Sequence, residues 1–419
     1  MDKMRIRGGN PLHGTIQASG SKNAALPVLI SSLLSAERSQ YSRIPRLNDI
    51  ETTLKLLSKM GLKVDRQLSE NRVSIQANQV SSYEAPYDLV STMRASVLVL
   101  GPLVARFGQA KVSLPGGCAI GARPIGYHLD GLQKLGVQIQ LEQGYVVATA
   151  KRLKGGRVPM EFPSVGATEN LMMAAVLAQG ETVLENCAKE PEIVDLARAL
   201  RSMGAVLEGE GTETIRIQGK DSLSGANHAV MADRIEAGTY LSAAFATGGS
   251  ITVEGIEPVF LESVLSKFEE AGAIIERGDR KIGLKSKGRP RGTDISTQPY
   301  PGFPTDMQAQ FMAAMCVADG TSVISENIFE NRFMHVSELS RLGADITIKG
   351  KSAIVRGKSQ LIGAPLMATD LRASASLIVA GLCAEGETIV NRIYHLDRGY
   401  EQMELKLQSL GADVERLKD

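Results

Sequence analysis

Six copies of one pattern run through the chain. LKLLSKMGLKV (54–64), LDGLQKLGVQI (129–139), LARALRSMGAVL (196–207), VLSKFEEAGAII (264–275), VSELSRLGADI (336–346) and MELKLQSLGADV (403–414) share it. Each reads as an amphipathic helix, a glycine suited to the left-handed position past its end, and an alternating strand. The glycines are Gly61, Gly136, Gly204, Gly272, Gly343 and Gly411, with gaps of 75, 68, 68, 71 and 68 residues. A period near 70 residues marks a repeated supersecondary unit rather than a continuous sheet or bundle.

A second helix recurs upstream of the first and is apolar nearly all round: NAALPVLISSLL, RASVLVLGPLVARFG, ATENLMMAAVLAQG, EAGTYLSAAFATGG, MQAQFMAAMCVADG and RASASLIVAGLCAEG. A helix without a polar face is a buried helix. Short strands such as GETVLEN, GSITVEG and GETIVNR follow most copies. Each unit is therefore expected to run buried helix, strand, loop, outer helix, strand, strand, an α/β (α+β) unit with its buried helices under sheet.

Six units divide into two domains of three. MRIRGGNPLHGTIQASG at the amino terminus aligns with the closing segments KIGLKSKGRPRGTDIST and SAIVRGKSQLIGAPLMAT, so the first residues read as the missing end of the last unit. The expected domains are 22–231 and, discontinuously, 1–21 with 232–419. Two chain crossings between them would make a hinge, with the active site in the cleft.

Composition narrows the function classes. Hydrophobic residues at 43% and charged residues at 22% suit a globular protein, which disfavours disorder and a membrane protein. A net charge of +1, without a long run of like charge, argues against a nucleic-acid surface, so any anion site must be local. MDKMRIRGG lacks the apolar core of a signal peptide, and the four cysteines form no CxxC pair. The chain is expected to be cytoplasmic, without disulfides, metal or cofactor.

Departures from the repeat point to chemistry. The mouths of the buried helices carry SGSKN, STMRAS, PSVGATEN, ADRIEAGT, FPTDMQ and ATDLRAS, which place Lys22, Arg94, Arg234 and Arg372 at helix starts. A cation there opposes the helix dipole unless an anion arrives. The loops before the outer helices add Arg123, Arg332 and Arg398, whose planar forks suit carboxylate and phosphate. A small, densely negative ligand is expected. Asp306 reads either as a first-turn acid of its helix or as a general base toward a hydroxyl. Asp233 and Asp370 read as partners of Arg234 and Arg372, and His128 as a ligand contact or a surface residue. Cys316 and Cys383 lie in apolar helices and Cys187 at a strand end, as packing residues. Cys118, in LPGGCAIGARP, reads either as a small turn residue or as a reactive thiol on a mobile loop beside Arg123.

SGSKNAALP, LPGGCAIGARP, PSVGATEN, DRIEAGT, FPTDMQAQF and DLRASASL, in that order, resemble the UDP-N-acetylglucosamine enolpyruvyl transferases along essentially the whole chain. The resemblance implies a two-domain inside-out α/β barrel and transfer of the enolpyruvyl group of phosphoenolpyruvate to the 3-hydroxyl of UDP-N-acetylglucosamine, releasing phosphate. This begins peptidoglycan synthesis, through a tetrahedral intermediate. It implies that Cys118 protonates the methylene carbon, can carry a phospholactoyl adduct and is the target of fosfomycin. It implies that Lys22 and Asn23 contact phosphoenolpyruvate and the reacting hydroxyl. Arg123, Arg332, Arg372 and Arg398 would hold phosphate and carboxylate, with Asp370 beside Arg372 in the substrate site, while Asp306 binds and deprotonates the hydroxyl. Nucleotide-sugar contacts map to Arg94, to Arg123, Pro124, Ile125, Gly126 and Tyr127, to Phe162, Pro163, Ser164 and Val165, and to Ile328. Where Gram-negative members carry an acidic residue and a lysine, this chain has Gly126 and Phe162, so contacts there are backbone or apolar. The implied partners are the two substrates, with no nucleic acid or membrane, and the expected state is a monomer or weak oligomer.

Two other activities compete. The related synthase acting on shikimate 3-phosphate shares the first-helix lysine but lacks the PGGC loop. A cysteine hydrolase would need a histidine near the thiol and an oxyanion hole.

Overall fold

The computed structural model describes residues 2–114 and 125–418. Among them the chain divides into two compact units. One takes the start of the chain to Ser19 and Ala232 to the end; the other lies between Gly20 and Met231.

Each unit is built from three four-stranded sheets of one design. The strand Glu181–Glu185 shows it: it pairs in parallel with the short edge strand Arg157–Pro159 and antiparallel with Thr214–Gln218, which pairs in turn with Val206–Glu208. The parallel pair needs a crossover, and the buried helix Val165–Ala175 supplies it. The outer helix Pro191–Ser202 then leads into the antiparallel hairpin. The parallel edge strands, two to five residues long, are the part of the unit that the sequence pattern does not reveal, being too short to show a period.

Both units borrow a strand from far along the chain. Lys3–Arg7 inserts between Glu387–Asn391 and Asp413–Leu417, antiparallel to both, and so closes the last sheet of its unit. His13–Gln17 runs parallel to Ser250–Glu254 as the edge of another. In the second unit Asn227–Ala229 lies parallel to Arg38–Ser42.

Helices form the middle of each unit. In the first, Arg234–Ala246, Gln308–Met315 and Leu371–Cys383 pack on one another pairwise. An aromatic chain of Phe245, Phe268, Phe311 and Phe303, with centroids 5.5–5.8 Å apart, joins two of them to the surrounding elements. In the second unit, the segment from Arg94 to Phe107 meets both Lys22–Ile30 and Val165–Ala175. That segment is not one helix: Arg94–Val99 is 3-10 and only Leu100–Phe107 is α. Pro102 explains the break, since it has no N–H to give and its ring crowds the carbonyl one turn earlier.

All six helix-closing glycines have positive φ, from 89° to 108°. Gly20 is needed for a different reason: a Cβ there would lie 1.7 Å from the Arg43 carbonyl oxygen. No helix among the described residues is long and apolar enough to cross a membrane.

Candidate active site

In the unit that contains Ala232 to the chain end, the polar residues converge on Asp306. Its carboxylate accepts from two guanidinium groups: Arg332 Nη2 donates to Oδ1 at 2.8 Å and Arg372 Nη2 to Oδ2 at 2.8 Å. Two adjacent repeats supply the three residues: Asp306 and Arg332 come from one, and Arg372 from the next. Asp306 sits in the 3-10 turn Thr305–Met307, Arg332 in the loop before an outer helix, and Arg372 in the first turn of Leu371–Cys383. Both arginines are buried while Asp306 keeps 25% of its side chain exposed, so the carboxylate is the accessible end of the cluster. Charge-assisted bonds of this kind are the strong class. Burial pulls the Arg372 guanidinium down, but Asp306, Tyr400 and Asp233 outweigh it and its pKa lies above the ordinary arginine value.

Each arginine has a second anchor behind the first. Arg332 Nη1 donates to Thr305 Oγ1 (2.9 Å), whose hydroxyl donates to Glu326 Oε2 (2.8 Å). The other oxygen of the buried Glu326 accepts from the backbone of Ile328 and Phe329 at 2.8 and 3.1 Å, which fixes the loop that carries Ile328. Arg372 Nη1 donates to Tyr400 Oη at 3.2 Å.

The helix mouths answer the question of cations at positive dipole ends. Asp233 Oδ1 accepts from the N–H groups of Ile235 and Glu236, and Asp370 Oδ1 from those of Arg372 and Ala373, all at 2.8–3.0 Å. Both acids thus act as N-caps of the helices they precede. The Arg372 guanidinium turns to Asp306, and Arg234 lies over the Tyr300 ring at 5.6 Å. Asp306 is the first-turn acid of this 3-10 turn, and its carboxylate is held by the arginine pair. His335 is buried, and burial with Arg332 nearby holds its pKa at about 4 against the pull of Asp370. Arg398, half-buried, ends the 3-10 turn Ile393–Arg398.

The other unit carries a separate set. Lys22 is the first residue of its helix, behind the Ser21 cap, and its Nζ lies 3.6 Å from the buried Asp49 carboxylate. Asn23 follows, half-buried. Arg94 opens the 3-10 turn Arg94–Val99, near enough to His128 to help burial depress the histidine pKa to about 4. His128 is therefore no surface residue. It is buried inside the helix Gly126–Lys134, with Nδ1 3.0 Å from the Asn170 amide nitrogen. Ile125, Gly126 and Tyr127 form the start of that helix, and Tyr127 stacks on the exposed Phe162 at 6.3 Å between centroids. Pro163 follows, and Ser164 caps Val165–Ala175 by accepting from the Ala167 N–H at 3.3 Å.

Cys118, Arg123 and Pro124 lie outside the described residues. Cys316 and Cys383 have their pKa values raised by burial, the latter to about 12, as does Cys187. Three participants carry no repeat-breaking signal: Asp49, Glu326 and Tyr400. Glu326 and Asp49 look like surface acids in the sequence, and Tyr400 looks like core.

Comparison with known proteins sets this geometry in context. The family model of EPSP synthase (3-phosphoshikimate 1-carboxyvinyltransferase) matches residues 6–407. The chain is 58% identical over 419 residues to a UDP-N-acetylglucosamine 1-carboxyvinyltransferase of Geobacter metallireducens, covering 100% of both. It is 58% identical over 420 residues to one of Trichlorobacter lovleyi, again along all of both chains. Among solved structures, the enolpyruvyl transferase NikO from Streptomyces tendae superposes with a TM-score of 0.89 at 25% identity, over 100% of this chain and 99% of that one. An EPSP synthase from Acinetobacter baumannii superposes at 0.75 and 20% identity over 100% of both, a likeness of fold.

Proposed function

The chain belongs to the enolpyruvyl transferase family, and from that membership we infer that it transfers the enolpyruvyl group of phosphoenolpyruvate to the 3-hydroxyl of UDP-N-acetylglucosamine. Phosphate leaves, and the product enters peptidoglycan synthesis as its first committed intermediate. The observation that carries this is the 58% identity, end to end, to two proteins named for that reaction. Against shikimate 3-phosphate as acceptor stands the PGGC run at residues 115–118, which the synthase acting on it is expected to lack. The fold reading that goes with it is an inside-out α/β barrel in each unit, supported by helices packed together within three sheets.

The residues take the following roles. Asp306 accepts the proton of the sugar hydroxyl; a carboxylate oxygen has a second lone pair beyond the one given to an arginine. Arg332 and Arg372 hold that carboxylate and offset the charge around the anionic substrate. The alkoxide oxygen bonds to C2 of phosphoenolpyruvate while the Cys118 thiol delivers a proton to C3. Loss of a C3 proton and cleavage of the C2–O bond to phosphate then restore the double bond. Lys22, Arg123 and Arg398 bind phosphate and carboxylate without donating to carbon. Asn23, with Lys22, contacts phosphoenolpyruvate and the reacting hydroxyl, and Asp370 caps the helix that carries Arg372. Arg94, Ile125 to Tyr127, Phe162 to Val165 and Ile328 receive the nucleotide sugar. The protein acts in the cytoplasm as a monomer or weak oligomer.

Substitution at Cys118 tests the proton-donor role. Cys118→Asp keeps an acid and should keep turnover while losing sensitivity to fosfomycin; Cys118→Ala should lose turnover. An inactive Cys118→Asp beside a normally folded protein would contradict the role of the thiol as an acid.

A further inference from the structure

We propose that Tyr400 is a positioning residue for the reaction, fixing the plane of the Arg372 guanidinium and through it the Asp306 carboxylate; this rests on the reading of Asp306 as the base. The two ends of the Asp306–Arg372 pair are tied to one buried polar junction. Gln310 Nε2 donates to the Asp306 backbone oxygen at 2.9 Å, and Arg372 Nη1 donates to Tyr400 Oη at 3.2 Å. Gln310 Nε2 also reaches Tyr400 Oη at 3.2 Å and Thr239 Oγ1 at 3.1 Å, and these two hydroxyls are 2.8 Å apart. Thr239, Gln310 and Tyr400 are all at most 1% exposed.

The protons can be assigned. Thr239 Oγ1 donates to the Ile235 carbonyl at 2.8 Å, which uses its only hydrogen. Toward Tyr400 it must then accept, so the phenol donates to Thr239. The phenol oxygen is left with its lone pairs facing Arg372 and Gln310, the arrangement a cation donor requires. Burial raises the Tyr400 pKa, so the phenol keeps the proton that this assignment needs. The Arg372 guanidinium carbon also lies 5.7 Å from the centre of the Tyr400 ring, so hydroxyl and ring both restrain it.

A guanidinium held at one nitrogen can swing about its flexible stem; one held at two nitrogens cannot. Arg332 gains its second hold from Thr305 and Glu326, and Arg372 gains it from Tyr400. The carboxylate between them thus has both oxygens set by arginines that are themselves anchored. Misplacement by about 1 Å at such a group costs on the order of a hundredfold in rate.

Tyr400→Phe keeps the ring and removes only the hydroxyl. Phosphate release from phosphoenolpyruvate and UDP-N-acetylglucosamine should fall in kcat by about ten- to a hundredfold, the worth of a hydrogen bond to a charged group. KM for either substrate should stay within about threefold, since the residue acts on a group rather than on a ligand. The same substitution in an Arg372→Lys background, followed by single-turnover measurement so that slow variants remain readable, should cost less than about twofold more. Unchanged kcat in Tyr400→Phe, or losses that multiply in the double variant, would overturn the positioning role. A wild-type protein that releases no phosphate with both substrates would instead overturn the functional reading beneath it.

Discussion

Arg332 and Arg372 each place an Nη2 nitrogen 2.8 Å from a different oxygen of Asp306, one guanidinium per carboxylate oxygen. Two buried cations therefore share one partly exposed anion. Neutralising that anion affects folding and chemistry together.

Asp306→Asn keeps the shape of the side chain and removes its charge. Turnover should fall by about 10²- to 10⁴-fold, the usual worth of a general base, with KM for UDP-N-acetylglucosamine changing far less. Urea unfolding should register a loss on the order of 3 kcal/mol, because two buried guanidinium groups lose a charged partner. A variant that turns over normally would remove Asp306 from the chemistry.

Stability should fall as pH drops below neutrality. His128 and His335 have folded pKa values of about 4 against an ordinary value of 6.5. In the unfolded chain they take up protons as pH falls through about 6.5, and in the folded protein they do not until about 4. Each therefore contributes stability at neutral pH that is lost across that window, about 2 kcal/mol per histidine by about pH 5. Glu169 works in the opposite sense. Burial, then Glu192 and Glu190, raise its pKa well above the ordinary carboxylate value, so its contribution is complete at low pH and lost as pH rises. His335→Gln separates the terms: the decline in urea midpoint between about pH 7 and pH 5 should become shallower. A decline of unaltered slope would mean that His335 is not held neutral.

Glycine substitutions distinguish conformational need from space. Gly136 has φ of 91° and no atom within 4 Å of where a Cβ would stand, so Gly136→Ala should cost only backbone strain, about 1 kcal/mol. Gly20→Ala must push the Arg43 carbonyl aside and should cost about 3 kcal/mol. Thermal unfolding of the two variants gives the comparison, and equal losses would contradict it.

The repeat is legible in the sequence because its marks are local. A glycine one residue past a helix needs positive φ whatever surrounds it, and all six have it. The buried helices are readable for the same reason, since they lack a polar face. Arg332, Arg372 and Asp306 each stand out as breaks in the pattern. Their meeting does not, because a helix mouth, a loop and the next repeat's helix start are brought together only by the packing of the unit. The N-capping by Asp233 and Asp370 is less legible, because an acid one or two places before an arginine reads first as its charge partner. Tyr400 escapes notice because a buried aromatic in a short loop has the signature of core, and only its hydroxyl's neighbours reveal another task.

Phosphate release with each substrate omitted in turn tests the central claim most directly. With phosphoenolpyruvate and UDP-N-acetylglucosamine together, phosphate should appear in step with the enolpyruvyl sugar nucleotide, and omitting either should abolish it. Replacing the sugar nucleotide with shikimate 3-phosphate should give none above background. Release from phosphoenolpyruvate alone, or equal release with shikimate 3-phosphate, would contradict the assignment of UDP-N-acetylglucosamine as acceptor.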